Sequence, residues 1–492
     1  MGLISRIGAA FSRPSPSVKS RPERRAGYDA AKTTDENRNH WAEADDLTAN
    51  AELTPEVRRK LRMRSRYEVK NNCFASGLVR TLVADTVGTG PRLQMMTADK
   101  SLNEAVEAEW KQWCLATNFA LNIRVLAGTQ VVAGECFGVF RESKRLDRLG
   151  LPVTLDLRLI EPDQVCDPNA DYLMKKTGDD GIVCDADGEI VAYKILKAPP
   201  NDQRFFQQNW DYDTVGVDNV IHYFQPNRPG QLRAATPLVA ALPLFAQLRR
   251  FTLATLTAAE MAAMLAGVMH IDGSPGEVAE DYDSMDTVKM VRGMLLSLPV
   301  NAKATQFKPE QPTTNYEMFV NAKLREIGRC LDMPFEKVSG DYSRTNYSSG
   351  KLSDRMYWGG RNIDRQMIEL QAVRPTFYKF CDLLRFAIPA LAAFKGRPWE
   401  LKHCWHYDGQ PAIEPVKEAS GDEINLTNGS DTLASIAMRD GTTVEELLDQ
   451  RQREMEMFKE RGLPLPAWMI GTAAPVRSDT GEPVETQKAV AA

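Results

Sequence analysis

The sequence predicts an α+β fold in which long helices frame a central run of strands. Three observations carry this. From Ala133 to Val220 the apolar spacing shortens to that of strands, in GECFGVFRE, VTLDLRLIEP, GIVCDADGEIVAYKIL and DNVIHYF. Further on, Leu352, Met356, Ile363, Met367, Leu370, Phe377, Cys381 and Leu384 hold one apolar stripe at helical spacing, enough for a helix of roughly 50 Å. Finally, 492 residues with 43% hydrophobic and 26% charged side chains have a soluble globular composition. Such a length exceeds one ordinary core, so about two to four lobes are expected.

The net charge of −5, from 61 basic and 66 acidic residues, excludes the basic signature of a tight nucleic-acid binder. Eight cysteines show no CxxC pair and no regular spacing, which fits reduced, small apolar residues.

In chain order, residues 1–27 carry Arg6, Arg13, Lys19, Arg21, Arg24 and Arg25 against Glu23 alone and read as a disordered basic arm without a signal-peptide core. YDAAKTTDENRNHW (Tyr28 to Trp41) is polar with two aromatic anchors. Pro55 to Val83 reads as helix with an Arg-rich face, either solvated or docked on an acidic neighbour or DNA. VGTGPRLQM (Val87 to Met95) suggests a turn into a strand, and is a weak nucleotide-loop candidate because the rest of that fingerprint is missing. Leu102 to Cys114 and Asn118 to Val131 are amphipathic helix. Asp187-Gly188 marks a hairpin within the strand region.

FQPNRPGQLRAATP (Phe224 to Pro237) returns the chain to a helix over Leu238 to His270. Overlapping it, Phe251 to Ile271 is a candidate membrane span, which gives a membrane-associated scaffold as one alternative function, but Glu260 at its centre costs roughly 3 kcal/mol there, and a buried helix is the better reading. Asp272 to Thr313 is irregular, with one or two short strands. Tyr316, Phe319, Val320, Leu324, Ile327 and Leu331 define the next helix, and Thr314 with Glu317 a capping box. Ser339 to Lys351, SGDYSRTNYSSGK, reads as an ordered polar loop between helices. The long helix after it should kink near Pro375. Two more helices, Asp431 to Met438 and Thr443 to Gly462, precede a Pro-, Thr- and Ala-rich disordered tail.

No constellation argues for an active site. Ser348 to Lys351 is formally an SxxK and Lys176-Thr177-Gly178 a KTG, which gives a serine-hydrolase alternative on Ser348 and Lys351. The KTG precedes the SxxK, the reverse of those enzymes, and no SDN accompanies them. His403, Cys404 and His406 offer zinc-type donors, yet Trp405 and Tyr407 make a packed aromatic patch the better account. No catalytic, cofactor-binding or metal residue is assigned, and the chain is expected not to be an enzyme.

Taken together, YDAAKTTDENRNHW, RSRYEVKNNCFASGLVRTLVADTVGTG (Arg64 to Gly90), VIHYFQPNRPGQLRAATPL (Val220 to Leu238), GDYSRTNYSSGKLSDR (Gly340 to Arg355) and EPVKEASGD (Glu414 to Asp422) resemble the portal proteins of lambda-like tailed bacteriophages, in the same order over roughly residues 28 to 463. The sequence departs from that pattern at Ala234 to Thr236, where a Gly-Ser pair is commoner. The resemblance implies a portal fold and a ring, usually of twelve subunits, at one capsid vertex, through which double-stranded DNA is packaged and ejected. It implies an α+β wing over 28–237, stem helices over 238–271 and 315–336, a clip over 272–314, a tunnel loop over 337–351, a long helix and wing return over 352–414, and a helical crown over 415–463, before a tail at 464–492.

Expected partners are other copies of the chain, passing DNA, the terminase large subunit, major capsid and scaffold proteins, and head-completion or neck proteins, with no membrane. The expected location is the virion, and the host cytoplasm during assembly. Lys337, Arg344, Asn346, Tyr347, Lys351 and Arg355 are the candidate DNA-facing residues of the tunnel loop. The alternative for the basic ones is pairing with Asp341, Asp354 or a neighbouring subunit's carboxylates. A channel must guide DNA without gripping it, because each phosphate contact has to break as the duplex moves. An acidic subunit bearing a few basic groups suits that.

Overall fold

The computed structural model describes residues 34–35, 38–167, 180–200, 210–264, 268–271, 302–305, 315–409, 414–439, 442 and 444–464. Met1–Thr48 and Ala49–Ala492 form separate compact units. In the first, the described residues make turns carrying an Arg38–Asp35 ion pair at 2.6 Å and an exposed Trp41 edge-on to His40. The basic arm, most of the clip, the KTG and nearly all of the tail lie outside the described residues.

The second unit begins with α1 (Ala49–Glu52), α2 (Pro55–Asn71) and α3 (Cys73–Val87). The single helix expected from Pro55 is thus two. Asn72 sits in extended backbone between them, and its side-chain oxygen accepts from Phe74 N to cap α3. Then come β1 (Arg92–Met95), α4 (Lys100–Thr117) capped by Asp99, and α5 (Phe119–Ala133), with Asn118 in left-handed backbone as the hinge between the two helices.

The strand region holds β2 (Glu135–Glu142), short α6 (Lys144–Arg148), β3 (Leu155–Ile160), β4 (Ile182–Cys184), β5 (Ile190–Leu196), β6 (Tyr212–Gly216) and β7 (Val220–Phe224). These build two antiparallel three-stranded sheets, ordered β3-β2-β7 and β4-β5-β6. The β4-β5 turn is the Asp187-Gly188 hairpin. Asp185 Oδ1 accepts from Asp187 N and Glu189 N, and Gly188 takes a positive φ.

Helix α7 covers Leu242–Met264, short of the expected His270, and the chain then enters β8 (Val268–Ile271), paired with β9 (Ala302–Thr305). The Val-Met-His-Ile run after Gly267 favours extended backbone over another helical turn. No helix among the described residues is long and apolar enough to cross a membrane. Next are α8 (Asn315–Arg329), α9 (Phe335–Ser339) and α10 (Tyr347–Ile368). The expected kink near Pro375 takes the form of a π-helical turn, Glu369–Val373, which leads into α11 (Arg374–Leu384) with the proline in its first turn. There the missing N–H costs little. The chain closes with α12 (Pro389–Ala393), β10 (His403–His406) antiparallel to β1, α13 (Pro415–Thr427), α14 (Leu433–Arg439) and α15 (Val444–Glu460), stopped at Gly462. Thr314, on which the expected capping box depends, and Thr443, the expected start of the last helix, lie outside the described residues.

Three apolar cores hold these parts. One gathers Trp110, Trp113, Phe119, Phe377 and Phe380 between α4, α5 and α11. A second joins α3, α7, α8, α9 and α10 around Leu78, Phe245, Ile327 and Tyr357. The third seals the two sheets with Phe137, Val165, Tyr193 and Ile195.

Candidate nucleic-acid interface

The polar loop is shorter than its sequence suggests. Gly340 ends α9 in left-handed backbone, its N–H bonded to Glu336 O at 2.8 Å. Asn346 caps α10 by accepting from Ser349 N at 2.9 Å, so Tyr347 to Lys351 are the first helical turn. The NYSS stretch is therefore a helix start. Between these stops, Asp341 accepts from Ser343 N, and Thr345 Oγ1 donates to Glu336. The hydrogen bonds from Ser343 hold the Asp341 carboxyl below its usual range.

The six candidate residues divide by environment. Lys337 faces inward from α9. Its ammonium lies 3.1 Å from Asp85 and 3.6 Å from Asp354, over the Tyr357 ring, which makes it an anchor between α3, α9 and α10. Arg344 is exposed and pairs at 2.6 Å with Glu317 of α8, a partner absent from the sequence reading. Asn346 is spent on the cap. Tyr347 accepts from Lys351 Nζ at 3.2 Å, and the cations of Lys351 and Lys417 lie over its ring. Lys351 also reaches Glu418 of α13 at 3.5 Å, and Arg355 is exposed on α10. Three cations, Arg344, Lys351 and Arg355, thus lie exposed on or beside the loop.

The same geometry opposes the hydrolase alternative. A lysine that activates a serine must give up its proton, whereas Tyr347, and then Glu418, push Lys351 upward and hold it charged. The VGTG turn is equally unavailable to a phosphate. Its Thr89 N–H and hydroxyl bond to the Asp408 carboxylate at 2.6 and 2.7 Å, and Arg92 adds a third contact. Arg365 of α10 bonds the carbonyls of Asp85, Thr86 and Asp408, closing the C-terminus of α3. At β10, His406 Nε2 bonds Gln94 Oε1 at 2.7 Å, and His403 packs on Phe377.

Among the two sheets lies a buried polar lock that the sequence reading did not single out. Arg233, of the RPGQLR stretch, bonds both oxygens of Glu135 at the start of β2, and the carbonyls of Val165, Asp180 and Pro162. Both side chains are essentially excluded from solvent. The Ala234 to Thr236 departure fits here without strain. Thr236 Oγ1 donates to Val131 O at 2.6 Å, and a Cβ on Gly134 would strike the Ala235 and Thr236 backbone within 3 Å. The only sequence signal was a carboxylate heading a strongly apolar strand, with an arginine after a Pro-Gly turn.

His222 of β7 completes the lock. Burial pushes its pKa down against the pull of Glu135, so its ring is neutral and donates from Nε2 to Glu135 at 3.3 Å. Burial alone would raise Glu135, but the Arg233 guanidinium overrides it and holds the carboxyl well below the usual range. Both groups therefore have depressed folded-state values. Their stabilisation is present above the unfolded values, about 6.5 for His and 4.3 for Glu, and is lost as pH falls through each. Thermal melts should decline from below about pH 6.5 and more steeply below about pH 4. His222→Gln should reduce the slope of the upper part and leave the lower; an unchanged upper slope would remove His222 from the account.

Comparison with known proteins sets the class first. The family model for "Phage portal protein, lambda family" matches residues 35–359. The chain belongs to that family. Curated relatives include a "Probable portal protein" of Halomonas phage phiHAP-1, 23% identical over 504 residues and covering 95% of this chain and 94% of the relative. Portal protein B of Escherichia phage lambda is 21% identical over 482 residues, covering 85% and 87%. Among solved structures, a chain of the virion of a native gene transfer agent particle is 13% identical with a TM-score of 0.43, covering 80% of this chain and 97% of its own. A chain from the neck of an empty particle of that agent is 13% identical with a TM-score of 0.44, covering 78% and 94%.

Proposed function

We propose that this chain forms a closed ring whose tunnel passes double-stranded DNA during packaging and ejection, with Gly340 to Asn346 and the start of α10 facing the duplex. The observation that carries this is the placing of exposed cations at a loop stopped at both ends. Arg344 is held by one exposed ion pair and Lys351 by Tyr347 and Glu418. Exposed pairs of this kind exchange at little cost, so Arg344 can leave Glu317 for a phosphate and return. That suits guidance without a tight grip. Lys337 serves as the inward anchor, and Asn346 and Tyr347 shape the helix start.

In this reading the α7–α8 hairpin, stacked through Phe251, Tyr316 and Phe319, is the stem. The two-sheet lobe belongs to the wing and α13 to α15 to the crown. Segment 272–314 meets the terminase large subunit and later the neck proteins, while capsid and scaffold proteins surround the ring. ATP hydrolysis belongs to a partner.

The test is imaging of the purified chain together with mass measurement. Rings with a hole wide enough for a duplex support the reading, and a folded monomer at every concentration and salt rejects it. Within assembled rings, Arg344→Glu should weaken duplex binding and flatten its salt dependence, by a slope change of about one per lost phosphate contact. Packaging and retention unaffected by Arg344→Glu would remove Arg344 from the DNA path.

A further inference from the structure

Helix α10 carries an apolar stripe that the described residues leave uncovered. Leu352 and Ile363 are each 63% exposed, Met356 76% and Leu370, in the following π turn, 47%. Their spacing puts them in one line with Gly359. Glycine inside a helix costs stability relative to alanine, and nothing among the described residues requires it here, because a Cβ added at Gly359 meets no atom of theirs within 4 Å. A glycine with open space before it leaves room for close approach by another helix. The stripe's exposed charges near this point, Lys351 and Arg355, are positive, and Arg355 has no ion pair among the described residues.

The outer side of α7 is the counterpart. Leu253 and Leu256 are exposed at 62% and 55%, with small exposed Ala254, Thr257 and Ala258 between and beside them. The exposed charge at that end of the helix is Glu260, also without an ion pair among the described residues. Small side chains on α7 and a glycine on α10 permit a close helix crossing, and Arg355 and Glu260 are opposite in sign. Two different faces of one chain that complement each other make a head-to-tail contact, the kind that closes into a ring when the rotation allows.

We propose that the α10 face centred on Gly359 seats α7 of a second copy of this chain, with Arg355 of one copy paired to Glu260 of the next, which assigns Arg355 to the subunit contact and leaves Arg344 and Lys351 as the DNA-facing cations. This rests on the ring reading above. The experiment compares full-length wild type with Gly359→Ala, Gly359→Leu, Arg355→Glu, Glu260→Arg and the double charge reversal, by sedimentation across a concentration series and by melting of the dissociated subunit. Gly359→Ala should melt higher as a subunit yet assemble less readily, a split that a purely internal role for the glycine would not give. Gly359→Leu should abolish rings. Each single reversal should raise the concentration needed for half-assembly on the order of tenfold, and the double should restore it.

If wild type forms rings while Gly359→Leu and both single reversals assemble normally, the proposed contact is wrong and the ring reading stands. Weakened single reversals without rescue in the double variant would also overturn the Arg355–Glu260 pairing. A wild-type chain that never self-associates overturns both readings together.

Discussion

Replacing Arg233 with alanine is expected to destabilise the protein by about 3–5 kcal/mol, because it strands an ionised carboxylate in a solvent-free site. Glu135 would lose its bidentate partner, and the carbonyls of Pro162, Val165 and Asp180 would lose donors at the same time. The sheet β3-β2-β7, the Pro162 turn and the segment leading into α7 would separate, since Arg233 ties all three together. Thermal or urea unfolding of wild type and variant measures this. The effect should also depend on pH. Without Arg233, burial dominates at Glu135 and raises its folded-state value above the unfolded one, so the site's contribution is retained at low pH and lost as pH rises. The deficit against wild type should therefore narrow towards about pH 4. A pH-independent loss below about 1 kcal/mol would show that the lock contributes little. The double variant Arg233→Met with Glu135→Leu should recover much of the loss by substituting packing for charge.

The second large effect is expected at Trp110. Its ring stacks on Trp113 at 4.9 Å between centroids and meets Phe119, Phe377, Phe380 and Trp405 edge-on at 5.1 to 5.6 Å. It is 3% exposed. Trp110→Ala should cost about 3–5 kcal/mol through lost contacts and the cavity left behind, and the near-ultraviolet circular dichroism of the stacked pair should collapse with it. Trp110→Phe should keep most of the stability, because the indole N–H makes no hydrogen bond inside the core. A larger loss in Trp110→Phe than in Trp110→Ala would contradict the packing account. This cluster fixes α11 against α4 and β10, so it sets where the C-terminal end of the long helix lies.

Much of this was legible along the chain. Helical and strand periods placed most of the elements and their order, because a period is visible within a few neighbouring residues. The misplacements fall where a local feature interrupts a pattern. Asn72 splits one apparent helix by capping the second half. Asn346 turns the end of an apparent loop into the first turn of α10. The run after Gly267 leaves helix for strand. Asn72 and Asn346 are short polar side chains whose capping effect depends on one backbone conformation.

By itself the sequence determined the α+β class, the long helix with its interruption near Pro375, the start of the polar loop at Gly340 and the blocks that carry membership of the portal family. The tertiary structure decided which polar groups meet. Arg233 and Glu135 are 98 positions apart, Lys337 and Asp85 252, and Thr89 and Asp408 319. Charge alone could not choose among 61 basic and 66 acidic side chains. That choice falls to packing, which brings certain residues together in a region where an unpaired charge is too costly to bury.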